Sequence, residues 1–176
     1  PNTSSAASDV YKRQALYINL YNATMLAAIA DRYRPGYTVS ESEWGIFDEP
    51  LVRLKSGPIS LNDLEHKRVR PMGDARIHAA LVCGAVSCPP LTATAFTADN
   101  LNARLARNTR RWIRDPGRNA VDVEGQTLQL SAIFDWYADD FGGKDALPAY
   151  VDRYLEADVS GYAVTFMAYD WSLNAR

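Results

Sequence analysis

The chain has 176 residues, of which 47% are apolar and 23% are charged, and its formal net charge is −2. This length and apolar content suit one compact domain with a sizeable core. The slightly acidic balance offers no overall attraction to nucleic acid or to an anionic membrane, so we expect neither as a partner. Two cysteines are too few for a disulfide-dense secreted scaffold but enough for one bridge.

The start of the chain differs in character from the rest. Residues 1–14 are polar and begin with Pro1 rather than methionine. We interpret them as a non-native or disordered segment, and residues 15–176 as a single domain. Localisation stays open on this interpretation, and an extracytoplasmic location is compatible with it.

Residues 15–30 are almost all apolar, which predicts a helix buried nearly all round. The segment is short for a membrane span of about 20 residues, and Asn19 and Asn22 would be costly in lipid. If these two side chains are buried, they must be hydrogen-bonded. They could orient a catalytic imidazole or tie down a loop.

Short helices and strands follow along the chain. The pattern predicts strands at 51–54, 76–82 and 162–168, a hairpin at 120–123 and 127–130, and helices at 61–70, 98–114, 131–141 and 146–157. Ser60 and Thr97 are candidate N-caps of the first two of these helices. Helices and mostly antiparallel strands without a regular βαβ rhythm predict an α+β fold, with several helices around a small sheet.

Every histidine and cysteine lies in one window of 23 residues, at His66, His78, Cys83 and Cys88. These side chains provide thiolate nucleophiles, imidazole bases, zinc ligands and disulfides. Structural zinc sites usually contain two close ligand pairs, whereas eleven residues separate the two histidines here. We therefore expect no metal and no cofactor.

The helix predicted from Leu61 places a carboxylate on its apolar face. Glu65 and Arg68 both fall within the apolar stripe, so Glu65 should point inward. A buried charge is either paired or functional, and an ion pair with Arg68 is commoner than a catalytic carboxylate. His66 lies on the flank of the same helix and could be a base or a surface residue.

Cys83 lies where an apolar run breaks into a turn, a location typical of a nucleophile because the thiol is fixed yet accessible. On the predicted strand, His78 and Cys83 face opposite ways, so a dyad between them requires a bend, which Gly84 permits. His66, on a separate element, is freer to be the partner. The alternatives are a buried inert thiol or a disulfide with Cys88.

Two further charged sets are interpreted as solvated helix faces, because a basic face on an acidic chain is more often solvated than bound to nucleic acid. They are Arg104, Arg107, Arg111 and Arg114 on one helix, and Asp135, Asp139 and Asp140 on another.

Five motifs in succession resemble those of the domain of unknown function 547 family. They are Ile18–Ala23, Ser60-Leu61 with Glu65-His66, residues 76–91, Ile133–Tyr137 and Tyr169–Asn174. The resemblance covers about residues 15–174 and implies a family without an assigned activity. It places the family's motif positions on Asn19, Asn22, Glu65, His66, His78, Cys83 and Asp170. Cys88 lies where plant-like members tend to carry Ser or Asp.

These residue types lead to a hypothesis of a thiol-dependent hydrolase or acyl transferase acting on a small molecule or peptide. Cys83 would be the nucleophile and His66 or His78 the base. The candidates for orienting the base are Glu65 and Asp170, and the candidate binding residues are Asn19, Asn22 and Arg76. The set of residue types is loosely similar to papain-like and transglutaminase-like enzymes, so the α+β fold could take that form.

The alternative hypothesis is a non-catalytic binding or scaffold module. In it the same residues would form a buried polar network, and Cys83 and Cys88 could form a disulfide. Whether the protein is an enzyme stays open at the level of sequence.

Overall fold

A computed structural model describes residues 3–41 and 45–174 of the chain. Within this part, six α-helices and two small sheets form, which confirms the α+β fold. The α-helices are α1 (Thr3–Arg32), α2 (Gly45–Asp48), α3 (Leu61–Leu64), α4 (Leu101–Ile113), α5 (Ala132–Trp136) and α6 (Leu147–Asp152). The strands are β1 (Val52–Leu54), β2 (Gly57–Ile59), β3 (Ala120–Asp122), β4 (Thr127–Leu130) and β5 (Ala163–Phe166). A π-helical turn covers Glu65–Val69, and 3₁₀ turns cover Arg70–Met72, Ala75–Ala79, Ala138–Phe141 and Lys144–Ala146.

Helix α1 begins at Thr3 rather than at residue 15, and it buries one face only. Ile18, Tyr21 and Met25 follow the helical repeat and are buried, whereas Leu16 and Leu26 are exposed. The prediction of a helix buried nearly all round was therefore wrong, because apolar composition alone does not tell which side a neighbour covers. None of the described helices has both the length and the apolar content needed to cross a membrane.

The two sheets contain mainly antiparallel pairs. β1 and β2 form a hairpin that pairs Val52 with Ile59, and β3 and β4 form the predicted hairpin. Strand β5 lies parallel to β4, pairing Val164 with Leu128. A parallel pair needs a crossover, and helices α5 and α6 lie in the connection between these strands. Strand β2 was not predicted, since Gly57 and Pro58 are weak strand formers.

The strand predicted at 76–82 is wrong, because its first part is the 3₁₀ helix Ala75–Ala79. Asp74 caps this helix by accepting a hydrogen bond from the Arg76 backbone N–H at 3.1 Å. Ile77, His78 and Ala79 are all buried, and a short buried run of this kind cannot be distinguished from a buried strand by its periodicity. The expectation that His78 and Cys83 face apart is also wrong, because both side chains line one cavity.

The other helices are shorter than predicted. Ser60 is the N-cap of α3 as predicted, and its Oγ accepts from the Asp63 backbone N–H at 2.9 Å. Thr97 is not the N-cap of α4, which is Asn100, but its Oγ1 accepts from the Asn100 N–H at 3.2 Å in the turn before the helix. The helix predicted at 131–141 breaks at Tyr137 and continues as a 3₁₀ turn. The helix predicted at 146–157 is shorter, because α6 ends at Asp152.

One arginine of the expected basic face is not solvated. Arg104 is buried and donates to the Thr92 hydroxyl at 2.6 Å, and also to the Thr94 carbonyl. Arg107 and Arg111 are exposed, as expected of a solvated face. The interpretation was wrong for Arg104 because the segment before α4 folds back over the first turns of that helix.

Two large apolar clusters form most of the core, and a smaller third cluster contains Tyr37, Val39, Ala85 and Cys88. The first surrounds the inner face of α1 and includes Ile18, Leu64 and Leu105. The second surrounds β4 and α6 and includes Phe134 and Val151. The backbone that follows the 3₁₀ helix Ala75–Ala79 passes between the two clusters, and it carries both cysteines.

Asn22 fixes this backbone from helix α1. Its side-chain amide donates to the Ala80 carbonyl at 2.9 Å, and its carbonyl oxygen accepts from the Val82 N–H at 2.9 Å. The C-terminal segment holds the following residues, since the N–H of Val86 donates to the Ser172 carbonyl at 2.9 Å. Cys83 lies between these two attachments.

We expect Asn22→Ala to lower the free energy of unfolding by about 2–4 kcal/mol, because it leaves a buried N–H and a buried carbonyl without partners. Urea denaturation monitored by circular dichroism measures the change. Ala23→Ser, on the exposed side of the same helix, is the control and should change stability by less than about 0.5 kcal/mol. A loss for Asn22→Ala as small as that of the control would contradict this role.

Candidate functional site

A cavity of about 460 Å³ opens where the two apolar clusters meet. Its walls come from α1, α2, α3, the π turn, the 3₁₀ helix Ala75–Ala79, the cysteine-bearing loop, α5 and the C-terminal segment. The lining is mostly apolar and aromatic, with a few groups capable of chemistry. The latter are Glu65, His78, Cys83, Cys88, Tyr137 and Tyr169.

Cys83 is half-buried in this cavity and has hydrogen-bond donors around its sulfur. Its Sγ lies 3.3 Å from the hydroxyl oxygen of Tyr169, and the N–H of Ala85 and the thiol of Cys88 also bond to it. The backbone N–H of Cys83 donates in turn to Cys88 Sγ at 2.8 Å. Both cysteines are free thiols. Because the two thiols are in hydrogen-bond contact, the ionisation of each affects the other.

The two thiols differ in their tendency to ionise. The hydrogen bond from Cys88, helped by those from Tyr169 and the Ala85 N–H, lowers the pKa of Cys83 against the opposing effect of burial. Burial raises the pKa of Cys88 well above its ordinary value, and the neighbouring Cys83 adds to this. Cys83 is therefore the thiol of the pair that ionises more readily, and Cys88 is the one that holds its proton as a donor.

Gly84 makes the sharp turn that follows the nucleophile candidate. Its φ of +82° lies in the left-handed region, where residues with a side chain are strained. A Cβ at this position would also meet the end of the Ile29 side chain. The turn expected from the sequence is thus present, and its φ favours glycine.

His78 is buried at the cavity wall and belongs to a chain of charged groups. Its Nε2 lies 2.7 Å from Asp140 Oδ2, and Arg70 donates to both oxygens of the same carboxylate at 2.7 and 2.9 Å. Arg70 also contacts His66 Nδ1 at 2.8 Å. Asp140 therefore fixes the orientation of the His78 ring, and Arg70 fixes Asp140.

Asp140 is not part of a solvated face, contrary to the expectation from sequence. The break at Tyr137 turns the following 3₁₀ helix so that the Asp140 carboxylate points inward. The hydrogen bond from His78, together with those from Arg70, holds the pKa of Asp140 well below its ordinary value of 3.8 despite partial burial. The carboxylate is consequently an anion over the whole neutral range.

Glu65 is buried at the cavity wall, 6% exposed, but it does not pair with Arg68 as expected. Arg68 is exposed, because the π turn rotates it away from the position it would have in a regular α-helix. The neighbour of Glu65 is the hydroxyl of Tyr137. Burial, followed by the charge of Glu65 and the hydrogen bond to it, raises the pKa of Tyr137 far above the neutral range.

Three aromatic side chains form one wall of the cavity. The ring centroids of Tyr169 and Trp171 lie 4.3 Å apart, and Trp136 lies 4.8 Å from Tyr169 and 5.6 Å from Trp171. Trp136 is 49% exposed, so the wall extends to the protein surface. We call these three side chains the aromatic wall.

Three of the residues expected in a catalytic site meet at the cavity, namely Cys83, His78 and Glu65. His66 is exposed on the outer flank of the π turn and bonds to Arg70. Asp170 is exposed as well, and its carboxylate accepts from the Ser172 N–H at 2.9 Å. These last two side chains therefore lie away from the thiol.

The three expected binding residues bind other parts of the chain. Asn19 pairs with the backbone of Phe96 through both amide atoms, at 2.8 and 2.9 Å. Asn22 holds the backbone before Cys83, so the loop-tying alternative applies to both asparagines. Arg76 forms an ion pair with Asp74 at 2.7 Å and lies outside the cavity.

Four residues of the site were not predicted to belong to it: Asp140, Arg70, Tyr137 and Tyr169. Tyr137 and Tyr169 belong to the motifs that carry the family resemblance, and this membership could have indicated them as site residues. Asp140 and Arg70 had no such signal. Across the described residues, no group of three or more His, Cys, Asp or Glu side chains could hold a metal ion.

Comparison with known proteins gives one match. The family described as "Protein of unknown function, DUF547" matches residues 7–113, which include Cys83, His78, Glu65 and Asn22. No curated protein and no solved structure matches the chain. The likeness to papain-like and transglutaminase-like folds therefore stays a prediction.

Asp140 should make stability depend on pH in the acid range. Because its pKa is lower in the folded state, its contribution is complete above about pH 4 and is lost as pH falls toward the depressed value. The free energy of unfolding of the wild type should thus exceed that of Asp140→Asn at pH 6, and the difference should shrink below pH 4. Asp139→Asn removes the same charge from an exposed neighbour and is the control. A difference independent of pH would refute this assignment.

Tyr169→Phe should raise the pKa of Cys83, because it removes one donor to the sulfur. We expect slower alkylation by iodoacetamide at pH 7 but an unchanged limiting rate at high pH, measured by mass spectrometry of the labelled peptide. Tyr33→Phe, at an exposed position, is the control. Equal profiles for the two variants would show that the hydroxyl does not act on the thiol.

Proposed function

Since the chain belongs to the DUF547 family, whose description assigns no function, we propose one from the cavity: a thiol-dependent hydrolase or acyl transferase with Cys83 as nucleophile. The observation that carries this proposal is geometric: the Cys83 thiol, surrounded by hydrogen-bond donors that lower its pKa, lines one cavity together with a carboxylate-bound histidine. A structural thiol in an apolar core would have its pKa raised instead.

His78 is the proposed general acid and base. Because Nε2 is bound to Asp140, Nδ1 is the ring nitrogen left to exchange a proton in the cavity. Asp140 is a positioning residue, and Arg70 supports it from the other side. His66 is excluded from this role by its exposed position away from the cavity.

The proposed reaction has two steps. In the first, the Cys83 thiolate attacks a carbonyl carbon, a thioester forms, and the leaving group departs with a proton from His78. In the second, water or another acceptor loses a proton to His78 and attacks the thioester. The bond between carbon and sulfur then breaks and the Cys83 thiolate is restored, held again by the donors from Cys88, Tyr169 and the Ala85 N–H.

An activated ester tests this proposal without knowledge of the natural substrate. We expect p-nitrophenyl acetate to acetylate Cys83 faster than it acetylates a free cysteine derivative, with steady release of p-nitrophenol thereafter. Cys83→Ser should abolish both, and His78→Ala should slow the steady release by about a hundredfold, the usual contribution of a general base. Peptide mass spectrometry identifies the acetylated residue.

The matched control is His66→Gln, which changes the other histidine and should leave both rates unchanged. Acetylation of Cys83 at the rate of a free thiol would overturn the proposal, and so would steady release indifferent to His78→Ala. Circular dichroism of each variant separates loss of function from loss of fold.

A non-catalytic binding module is the second candidate, favoured by one observation: the charged chain from His78 through Asp140 and Arg70 to His66 is fully paired. The contact between the Cys83 N–H and the Cys88 sulfur would then be the reduced form of a bridge. Intact mass with and without reductant tests the bridge. A mass lower by two hydrogens in air-equilibrated protein, together with inert Cys83, would favour this candidate.

A further inference from the structure

Glu65 is a buried carboxylate that forms no ion pair with the residues that the structure describes, although the charge of Arg70 acts on it from beyond hydrogen-bond distance. The cationic groups on its side of the cavity pair elsewhere, because Arg70 and His78 both bind Asp140. Within residues 3–41 and 45–174, the neighbour that bonds to Glu65 is the neutral hydroxyl of Tyr137. An isolated carboxylate is costly to bury unless a positive charge compensates it. The empty volume beside Glu65 is where such a charge can enter.

The rest of the cavity suits a cation better than it suits a sugar or another polyhydroxylated ligand. Asn62, another polar side chain of the lining, already donates to Asp48 Oδ1 at 2.7 Å. A sugar would need several free polar partners, whereas the aromatic wall and Tyr137 present mainly ring faces and edges. Aromatic rings attract an ammonium group within about 6 Å of their centroids.

We infer that the cavity binds a ligand through a primary ammonium group, with Glu65 as its counter-ion and the aromatic wall beside its alkyl part. This inference deepens the proposed function, on which it rests for the role of the ligand as a substrate. The substrate class would be an amine-bearing small molecule or a peptide with a free amino group.

The test compares n-hexylammonium with 1-hexanol, which have the same shape and differ in charge. Isothermal titration of the wild-type protein at pH 7 should show at least about tenfold tighter binding of the ammonium compound. Glu65→Gln should reduce this preference to about twofold or less, while Glu124→Gln, which removes an exposed carboxylate from the β3–β4 turn, should preserve it. Equal affinity of the two compounds would overturn the inference, as would a preference that survives Glu65→Gln.

A second variant keeps the test decisive if Glu65→Gln does not fold. Trp136→Leu, at a half-exposed position, keeps an apolar side chain but removes the ring. It should weaken the binding of both compounds severalfold, because the wall lies beside the alkyl part that they share, and it should preserve the preference for hexylammonium, which depends on Glu65. An unchanged affinity for hexylammonium would refute the part assigned to the aromatic wall.

The outcomes also separate this inference from the proposed function. Selective binding of hexylammonium with an inert Cys83 would refute the thiol chemistry and keep the ammonium site. A Cys83 that reacts as proposed, with no preference between the two compounds, would refute the ammonium site alone. Titration of Cys83→Ala gives the binding result free of any reaction at the thiol.

Discussion

Two hydrogen bonds from the Asn22 side chain hold the backbone on which the site depends. Residues 80–82 lie between a 3₁₀ helix and a tight turn. The N–H groups of Ala80 and Leu81 donate to the Ile77 carbonyl, but the Ala80 carbonyl and the Val82 N–H find their partners outside helix and sheet. The amide of Asn22 satisfies one of each. Because Asn22 is on a long helix, the position of Cys83 is set by a rigid element. Tyr21, one residue earlier on that helix, forms part of the cavity wall.

Asp140 makes the second connection, between the charged groups of the site. It accepts from His78 on one 3₁₀ turn and from Arg70 on another, and it lies on a third. Each of these groups would be costly to bury alone, but together they compensate one another's charge. The same pairing explains why Glu65 forms no ion pair with the described residues, since the nearby Arg70 and His78 both bind Asp140. Glu65 is therefore available to a cationic ligand.

Features with a local cause could be predicted from the sequence. The cap at Ser60 and the β3–β4 hairpin follow from side-chain chemistry within a few residues, whereas Thr97, predicted as a cap, lies before the N-cap Asn100 of α4. The strand predicted at 76–82 failed because a fully buried short helix has no polar face to reveal its period. The buried position of Glu65 was predicted correctly, but its partner was not, since a π turn moves Arg68 to the outside.

The site itself was predicted only in part, for a similar reason. Cys83 and His78 could be identified because their residue types are rare in the chain and chemically versatile. Their partners come from distant segments: Asp140 is 62 residues from His78, and Tyr169 is 86 residues from Cys83. No periodic pattern encodes such contacts. Asp140 moreover lies after a break at Tyr137 that changes the direction of the chain. The prediction of a continuous helix therefore placed the Asp140 side chain on the solvent-facing side.

The charge of Glu65 and the ionisation of the Cys83 thiol influence each other across the cavity. The charge of Glu65 raises the pKa of Cys83 and so opposes the donors that lower it. In an apolar cavity this repulsion is weakly screened, because little solvent separates the two groups. An ammonium group beside Glu65 would cancel the opposition and lower the pKa of Cys83 further. Binding of the ligand would then itself favour the thiolate, so that the nucleophile is most fully formed when a substrate is present to receive it.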